Sequence, residues 1–423
     1  MSIKFRLILM NFLQFFIWGS YLTSFGGYMF GTLHFQGEQI GTVFITLGIA
    51  SLFMPTLLGI VADRWINAER VLGMCHIAGA ALLYWTSTVT DPNTMFWAML
   101  LVSMAYMPTI ALSNTVSYNV LLKNGFLPQK DFPPIRVWGT IGFICAMWFV
   151  DIMHWTSSPN QLLVAAASAL VMGVYSFTVS SCPPPDKQIE ARSLASTLGL
   201  DAFVLFKRRR MVIFFLFAML LGAALQVTNQ WGVSFINHFG FIQEFKNTAG
   251  VKYPNILVSI SQISETLFIL TIPFFLKRFG IKKVMLISII AWVFRFGLFG
   301  IGDPGSGLYL LVISMIVYGM AFDFFNISGS LFVEKEAEPK IRASAQGLFM
   351  MITNGLGAII GSYGSGWVVQ HYTNGDITDW KTIWFIFAGY ALVLAVIFPF
   401  VFKYKHDPNA ISNIHPEPLL AAD

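Results

Sequence analysis

Long apolar stretches recur along this chain, and their length dictates what it can fold into. A helix needs about twenty mostly apolar residues to cross hydrocarbon. Stretches of that kind lie at approximately 7–30, 40–62, 71–90, 94–122, 135–155 and 161–181. A polar segment, 182–210, interrupts the series. Six more stretches follow at approximately 211–237, 255–276, 284–301, 307–333, 343–370 and 382–402. Each is far longer than the roughly ten residues of a membrane strand, so a barrel does not fit. The pattern predicts an all-α membrane protein with twelve transmembrane helices in two six-helix halves. Composition agrees, with only 11% of 423 residues charged against roughly 25% in a soluble domain. So few charges cannot cover a globule of this size. A soluble enzyme, a nucleic-acid-binding protein and a disordered scaffold are therefore disfavoured.

The net charge of +5 takes its meaning from where the positive residues fall. Lys and Arg concentrate in cytoplasmic loops. With the N-terminus inside, 21 of the 26 basic residues fall on the cytoplasmic side, and only Lys246, Lys252 and Lys381 fall outside. Both termini are then cytoplasmic. The excess charge reads as topology and not as a sign of an anionic partner. The organisation that follows is an N-terminal bundle (1–181), a cytoplasmic linker (182–210), a C-terminal bundle (211–402) and a cytoplasmic tail (403–423). Within the linker, three prolines precede a polar run, and LGLDAFVLFKRRR has the pattern of an amphipathic helix on the membrane surface. The halves carry matching basic turns, ADRWINAER and KRFGIKK, which suggests a duplicated transporter. Three scattered cysteines, Cys75, Cys145 and Cys182, support neither a disulfide framework nor a zinc site. The apolar N-terminal stretch is too long for the core of a cleaved signal and reads as a retained first span.

Charges inside a span cost about 3 kcal/mol or more at the bilayer centre, so the few present are functional candidates. Glu265 lies at mid-depth in SISQISETLFIL, and Gln262, three residues earlier, shares its helix face. Asp323 lies at mid-depth in IVYGMAFDFFNISG with Asn326 on the same face. Tyr318 and Phe322 form an i, i+4 aromatic pair on the adjoining face. The seventh span brings Gln226 and Asn229, again three apart. Such groups are costly against lipid and should converge on an internal hydrated cavity. Amides alone would serve equally well as bonds between helices. The two carboxylates either carry protons or pair with Arg136 across the bundle. Arg136 opens the fifth span after the breaker DFPP, and Thr140 and Phe143 follow at i+4 and i+7. It is either an interfacial anchor or part of a polar–aromatic face.

Other in-span residues read as structural. Arg295 is near enough to the outer end of its span to snorkel. Asp151 reads as interfacial and His76 as a packed imidazole. Gly357 and Gly361 read as helix-packing positions, while Gln14 and Trp18 could line a cavity. The chain has no P-loop, no metalloprotease or hydrolase motif, and no run of ligands for a metal, a haem or another cofactor.

The segments FLQFFIWGSYLTSFGGYMF, DFPPIRVWGTIGF, LGLDAFVLFK, SISQISETLFILTIPFFLKRFGIK, MIVYGMAFDFFNISGSLFVEKE and IRASAQG carry a specific resemblance. Across essentially the whole chain they are similar to the bacterial nucleoside permeases, the nucleoside:proton symporters of the major facilitator superfamily. The resemblance implies a central cavity, alternating access and proton-driven uptake across the inner membrane, and a chain of two six-helix halves can enclose such a cavity alone, as a monomer. It implies substrate contacts at Arg136, Thr140, Phe143, Gln226, Asn229, Gln262, Glu265, Tyr318, Phe322 and Asp323. The superfamily's loop pattern is only half kept. GIVADRWINAER has Gly59, Asp63 and Arg64 but lacks the Gly-Arg-Lys end, which RFGIKK retains in the second half.

The expected activity is thus symport of a nucleoside, such as uridine or adenosine, with a proton. Amides would hold ribose or base edge, Phe143 and Phe322 would face the base, and Asp323 and Glu265 would carry the proton. A proton symporter for a sugar or other small polar solute is the alternative. A receptor without transport fits less well, since no sizeable soluble domain is present.

Overall fold

In lipid only a helix or a closed barrel satisfies every backbone donor and acceptor. The computed structural model describes residues 2–184, 200–375 and 377–404, and it is helical almost throughout. The first part of the chain forms α1 (Ile3–Gly19), α2 (Phe25–Gly31), α3 (Gly37–Arg64), α4 (Ala68–Thr86), α5 (Pro92–Lys123), α6 (Pro128–Ile152) and α7 (Asn160–Ser176). A 3-10 helix, Leu200–Lys207, then leads into α8 (Arg209–His238) and the short α9 (Ala249–Lys252). The rest comprises α10 (Pro254–Ile301), α11 (Leu308–Glu336), α12 (Arg342–Met350), α13 (Gly357–His371) and α14 (Trp380–Val401). Eight of the described helices are long and apolar enough to cross a membrane. Helix starts carry local signals. Asp91 accepts from the Thr94 amide with Pro92 beside it, and Asp379 accepts from the Thr382 amide, each filling one orphan donor.

Several elements differ from the hydropathy reading. The first apolar stretch is broken after Gly19, because α2 must approach α8 closely: a Cβ on Gly26 would stand 2.2 Å from the Gln230 carbonyl oxygen. The eighth and ninth stretches, by contrast, remain two helical segments, spanned together here by α10, that meet at a break at Gly280, whose φ of +75° an L side chain rarely adopts. DFPP does not break the fifth stretch. Pro128 starts α6, and Pro133 and Pro134 sit inside it, where their missing N–H groups would have met carbonyls of the first turn. Arg136 is therefore in the third turn and not at a helix start. A π-helical turn, Met351–Leu356, separates α12 from α13. Within LGLDAFVLFKRRR, Leu200–Lys207 form a 3-10 and not an α-helix, with Ala202 and Leu205 buried and Phe203, Val204 and Phe206 exposed. Most of the 182–210 linker and the 403–423 tail, with Lys187, Arg192 and Lys405, lies outside the described residues.

Helices α1 and α4–α7 pack mainly on one another, as do α8, α10–α12 and α14, whereas α3 packs on α13 as extensively as on α5. Two seams join the sets: α2 and α3 against α8 and α13, and α6 against α10. Basic residues from distant parts of the sequence meet at one end of the bundle. There Lys4 Nζ lies 2.6 Å from Asp131 Oδ1, Arg6 donates to the Thr178 carbonyl, and Arg210 pairs with Glu336 at 2.9 Å. At the opposite end both seams are hydrogen-bonded shut. Thr23 Oγ1 lies 3.0 Å from Asn255 Oδ1, Trp148 Nε1 donates to Ser259 Oγ at 2.8 Å, and the Gly37 amide donates to Gln370 Oε1 at 2.7 Å. Asp151 belongs to this closure and is not interfacial. It is 1% exposed, and its Oδ2 accepts from the Ile256 amide at 2.7 Å, capping α10 across the seam.

Candidate functional site

A cavity of about 1830 Å³ opens between the two sets of helices. A drug-sized ligand needs roughly 300–1,000 Å³, so this space is an open vestibule with room for a solute and water. Its mouth lies at the basic end, ringed by Asp63, Arg64 and Trp65 of α3, Phe203, and Ala343 and Ser344 of α12. Its floor lies beneath the closed seams.

Helix periodicity explains how the lining assembles. On α6, Arg136, Thr140 and Phe143 are four and then three residues apart, and all three face the cavity. Gln226 and Asn229 do so from α8, and Gln262 and Glu265 from α10. Tyr318 and Phe322 do so from α11, with their rings stacked at 6.2 Å and an interplanar angle of 12°. Nine of the ten residues singled out in the sequence thus line one cavity, drawn from both sets of helices. Asp323 is the exception. One residue beyond Phe322 it is turned about 100° around the helix, away from the lining. It is 4% exposed, and its Oδ2 is buried with no hydrogen-bond partner.

The wall has a polar and an aromatic side. The Arg136 guanidinium stacks over Phe15 at 4.0 Å from the ring centroid. Arg136 and Glu265 attract each other across the cavity, but among the described residues no ion pair within 4.0 Å forms between them. Behind the aromatic side, Trp18 packs on Tyr106 at 5.6 Å and edge-on to Phe143 at 6.4 Å. Tyr106 in turn donates to the Gln14 carbonyl at 2.7 Å. Trp18 lines the cavity as read, but Gln14 does not: its amide is buried between His76 and Thr109 at 2.8 and 2.7 Å. His76 is the packed imidazole expected. Arg295 does not snorkel; it is fully buried. Gly357 and Gly361 are packing positions, since Cβ atoms there would stand 2.6 and 2.4 Å from α8 carbonyl oxygens. Phe15, Ser51, Asn114 and Asn354 also line the cavity and were not singled out. Asn114 and Asn354 could have been found by the in-span amide rule, but Phe15 is one of 41 phenylalanines and carries no signal of its own.

A helical bundle of this kind, with a vestibule open at one end and sealed at the other, has the architecture of a membrane transporter. Comparison with known proteins carries the identification further. A family model described as nucleoside H+ symporter matches residues 1–407, and the chain belongs to that family. It is 56% identical over 414 residues to the xanthosine permease of Escherichia coli (strain K12), covering 98% of this chain and 99% of the relative. It is 55% identical over 407 residues to the nucleoside permease NupG of the same organism, covering 96% and 97%. The crystal structure of nucleoside transporter NupG superposes with a TM-score of 0.90 at 55% identity, covering 96% of this chain and 100% of that one. The protein is a proton-coupled nucleoside transporter and not an enzyme. The sugar alternative is set aside by these matches.

Proposed function

We propose that the protein is a monomeric, twelve-span transporter of the bacterial inner membrane, with both termini and the cavity mouth on the cytoplasmic side. Its halves are 1–181 and 211–402, joined by the 182–210 linker, and they rock about a nucleoside held between them. The observation that carries this reading is the convergence of amides, aromatic faces, Arg136 and Glu265 from both sets of helices on a single cavity. Nucleosides such as uridine and adenosine present hydroxyls for amides and a flat base for rings. Gln226, Asn229 and Gln262 bond the ribose or the base edge, with Thr140 and Tyr318 as further hydroxyl partners. Phe143 and Phe322 flank the base. Arg136, fixed over Phe15, supplies a planar set of donors.

Asp323 and Glu265 carry the proton in this reading. They repel each other, so adding a proton to either removes both the repulsion and a buried charge. A pair with one buried charge fewer lowers the cost of closing the cavity around the solute, which couples proton entry to nucleoside entry. Uptake of labelled uridine and adenosine by bacterial cells lacking their own permeases tests this, with and without a protonophore. The expected result is accumulation that the protonophore abolishes. Accumulation indifferent to the protonophore rejects proton coupling, and no uptake of any nucleoside rejects the substrate class.

A further inference from the structure

Arg295, on α10, is a cation with no exposed surface, in the interior of a bundle that lies in lipid. Its NH1 donates to Ser314 Oγ at 3.3 Å, and that hydroxyl donates back to the Arg295 carbonyl at 2.7 Å. Among the described residues Nε and NH2 have no hydrogen-bond partner, and no carboxylate oxygen lies within 4.0 Å. An unpaired buried charge lowers stability relative to an apolar side chain of similar size, so its presence calls for a function outside packing.

Its aromatic contacts show where such a function acts. The guanidinium stands 4.1 Å from the Phe299 centroid and 5.4 Å from that of Tyr318. Phe299 packs towards Trp384 and Phe235, away from the cavity lining. Tyr318 lines the cavity and is held on two further sides, edge-on by Trp292 at 5.9 Å and face-on by Phe322 at 6.2 Å. Of these three neighbours only Arg295 is charged. A cation beside a phenol ring draws electron density from it, which orients the ring and makes its hydroxyl a stronger donor.

We infer that Arg295 is a positioning residue for nucleoside recognition, holding and polarising Tyr318 so that the phenolic hydroxyl donates a hydrogen bond to an oxygen or ring nitrogen of the bound nucleoside. Arg295 itself does not touch the solute. The inference rests on Tyr318 contacting the substrate, and the test separates the two.

Uptake kinetics of labelled uridine are compared for Arg295→Met, Arg295→Lys, Tyr318→Phe and the double variant Arg295→Met with Tyr318→Phe. The amount of folded protein in the membrane is measured for each. Arg295→Met raises KM about three- to tenfold, as loss of a desolvated cation–π contact does, with maximal rate per folded molecule within about twofold. Arg295→Lys, which keeps the charge, recovers most of that loss. In the Tyr318→Phe background, which keeps the ring and removes only the hydroxyl, Arg295→Met adds less than about twofold, the signature of coupled residues. Full additivity in the double variant overturns the inference, as does a loss confined to the amount of folded protein. If Arg295→Met does not fold, Arg295→Gln, which removes the charge but can still bond the Ser314 hydroxyl, is measured in its place, and a parent KM in that variant overturns the inference. Tyr318→Phe with an unchanged KM shows instead that Tyr318 makes no substrate contact, and the inference falls with that reading.

Discussion

Asp323 and Phe322 are neighbours in sequence, but their places around α11 give them separate tasks. Phe322 faces the vestibule, while Asp323 faces protein with one oxygen unpaired. A carboxylate left in that state costs about 3–5 kcal/mol relative to a compensated one, and a proton removes the charge. Asp323→Asn keeps the shape and forbids the exchange. The expected outcome is that nucleoside still equilibrates across the membrane but no longer accumulates against its gradient. Accumulation equal to that of the parent protein removes Asp323 from the proton path. The candidates were legible because polar atoms in a span are expensive, and depth along a helix can be counted from hydropathy. Facing was less legible. Asp323 and the pair Tyr318–Phe322 lie on adjoining faces, and only packing decides which face meets water. Arg295 was misread for the same reason: its distance from the helix end suggested reach to solvent, whereas it is fully buried against the Phe299 and Tyr318 rings.

Glycines act at the scale of the element, by letting two backbones touch. The run GLGAIIGSYGSG announces close packing, yet it does not say which glycine makes the contact. The π-helical turn at Met351–Leu356 shifts the phase of everything after it, so straight-helix counting from α12 misassigns the face. In the folded chain a Cβ on Gly361 would stand 2.4 Å from the Ala223 carbonyl oxygen, while one on Gly364 meets nothing within 4 Å. The two positions therefore respond differently to the same change. Gly361→Ala is expected to destabilise the protein by about 1–3 kcal/mol through overpacking against α8. Gly364→Ala is expected to be neutral, or stabilising by up to about 1 kcal/mol through helix propensity. Thermal unfolding of the purified variants measures both, and equal melting temperatures refute the close contact at Gly361. The break between α1 and α2 was hidden for a related reason. Hydropathy runs unbroken through it, and only the approach of Gly26 to α8 requires the interruption.

For the whole molecule, the class of helical membrane transporter was readable because the bilayer sets a length for each apolar stretch. Which end of the bundle stands open was not readable. That depends on a balance between two sets of contacts of similar strength, and a repeat in hydropathy is silent about their difference. The closed end is held by small polar contacts between the sets of helices: Thr23 with Asn255, Trp148 with Ser259, and Asp151 with the Ile256 amide. Each such bond contributes about 0.5–1.5 kcal/mol net, weak enough to break when the opposite end closes. Alternating access in the proposed orientation requires these contacts to separate in every cycle. A covalent bond across the seam should therefore stop transport without unfolding the protein. In a background with Cys75, Cys145 and Cys182 replaced by Ser, Thr23→Cys together with Asn255→Cys puts two thiols on facing sides of the seam, where the Thr23 hydroxyl now lies 3.0 Å from the Asn255 amide oxygen. Oxidation is expected to abolish uridine uptake, and reduction to restore it, while each single variant is unaffected by oxidant. A cross-linked protein that still accumulates uridine at the reduced rate shows that this seam does not open during transport.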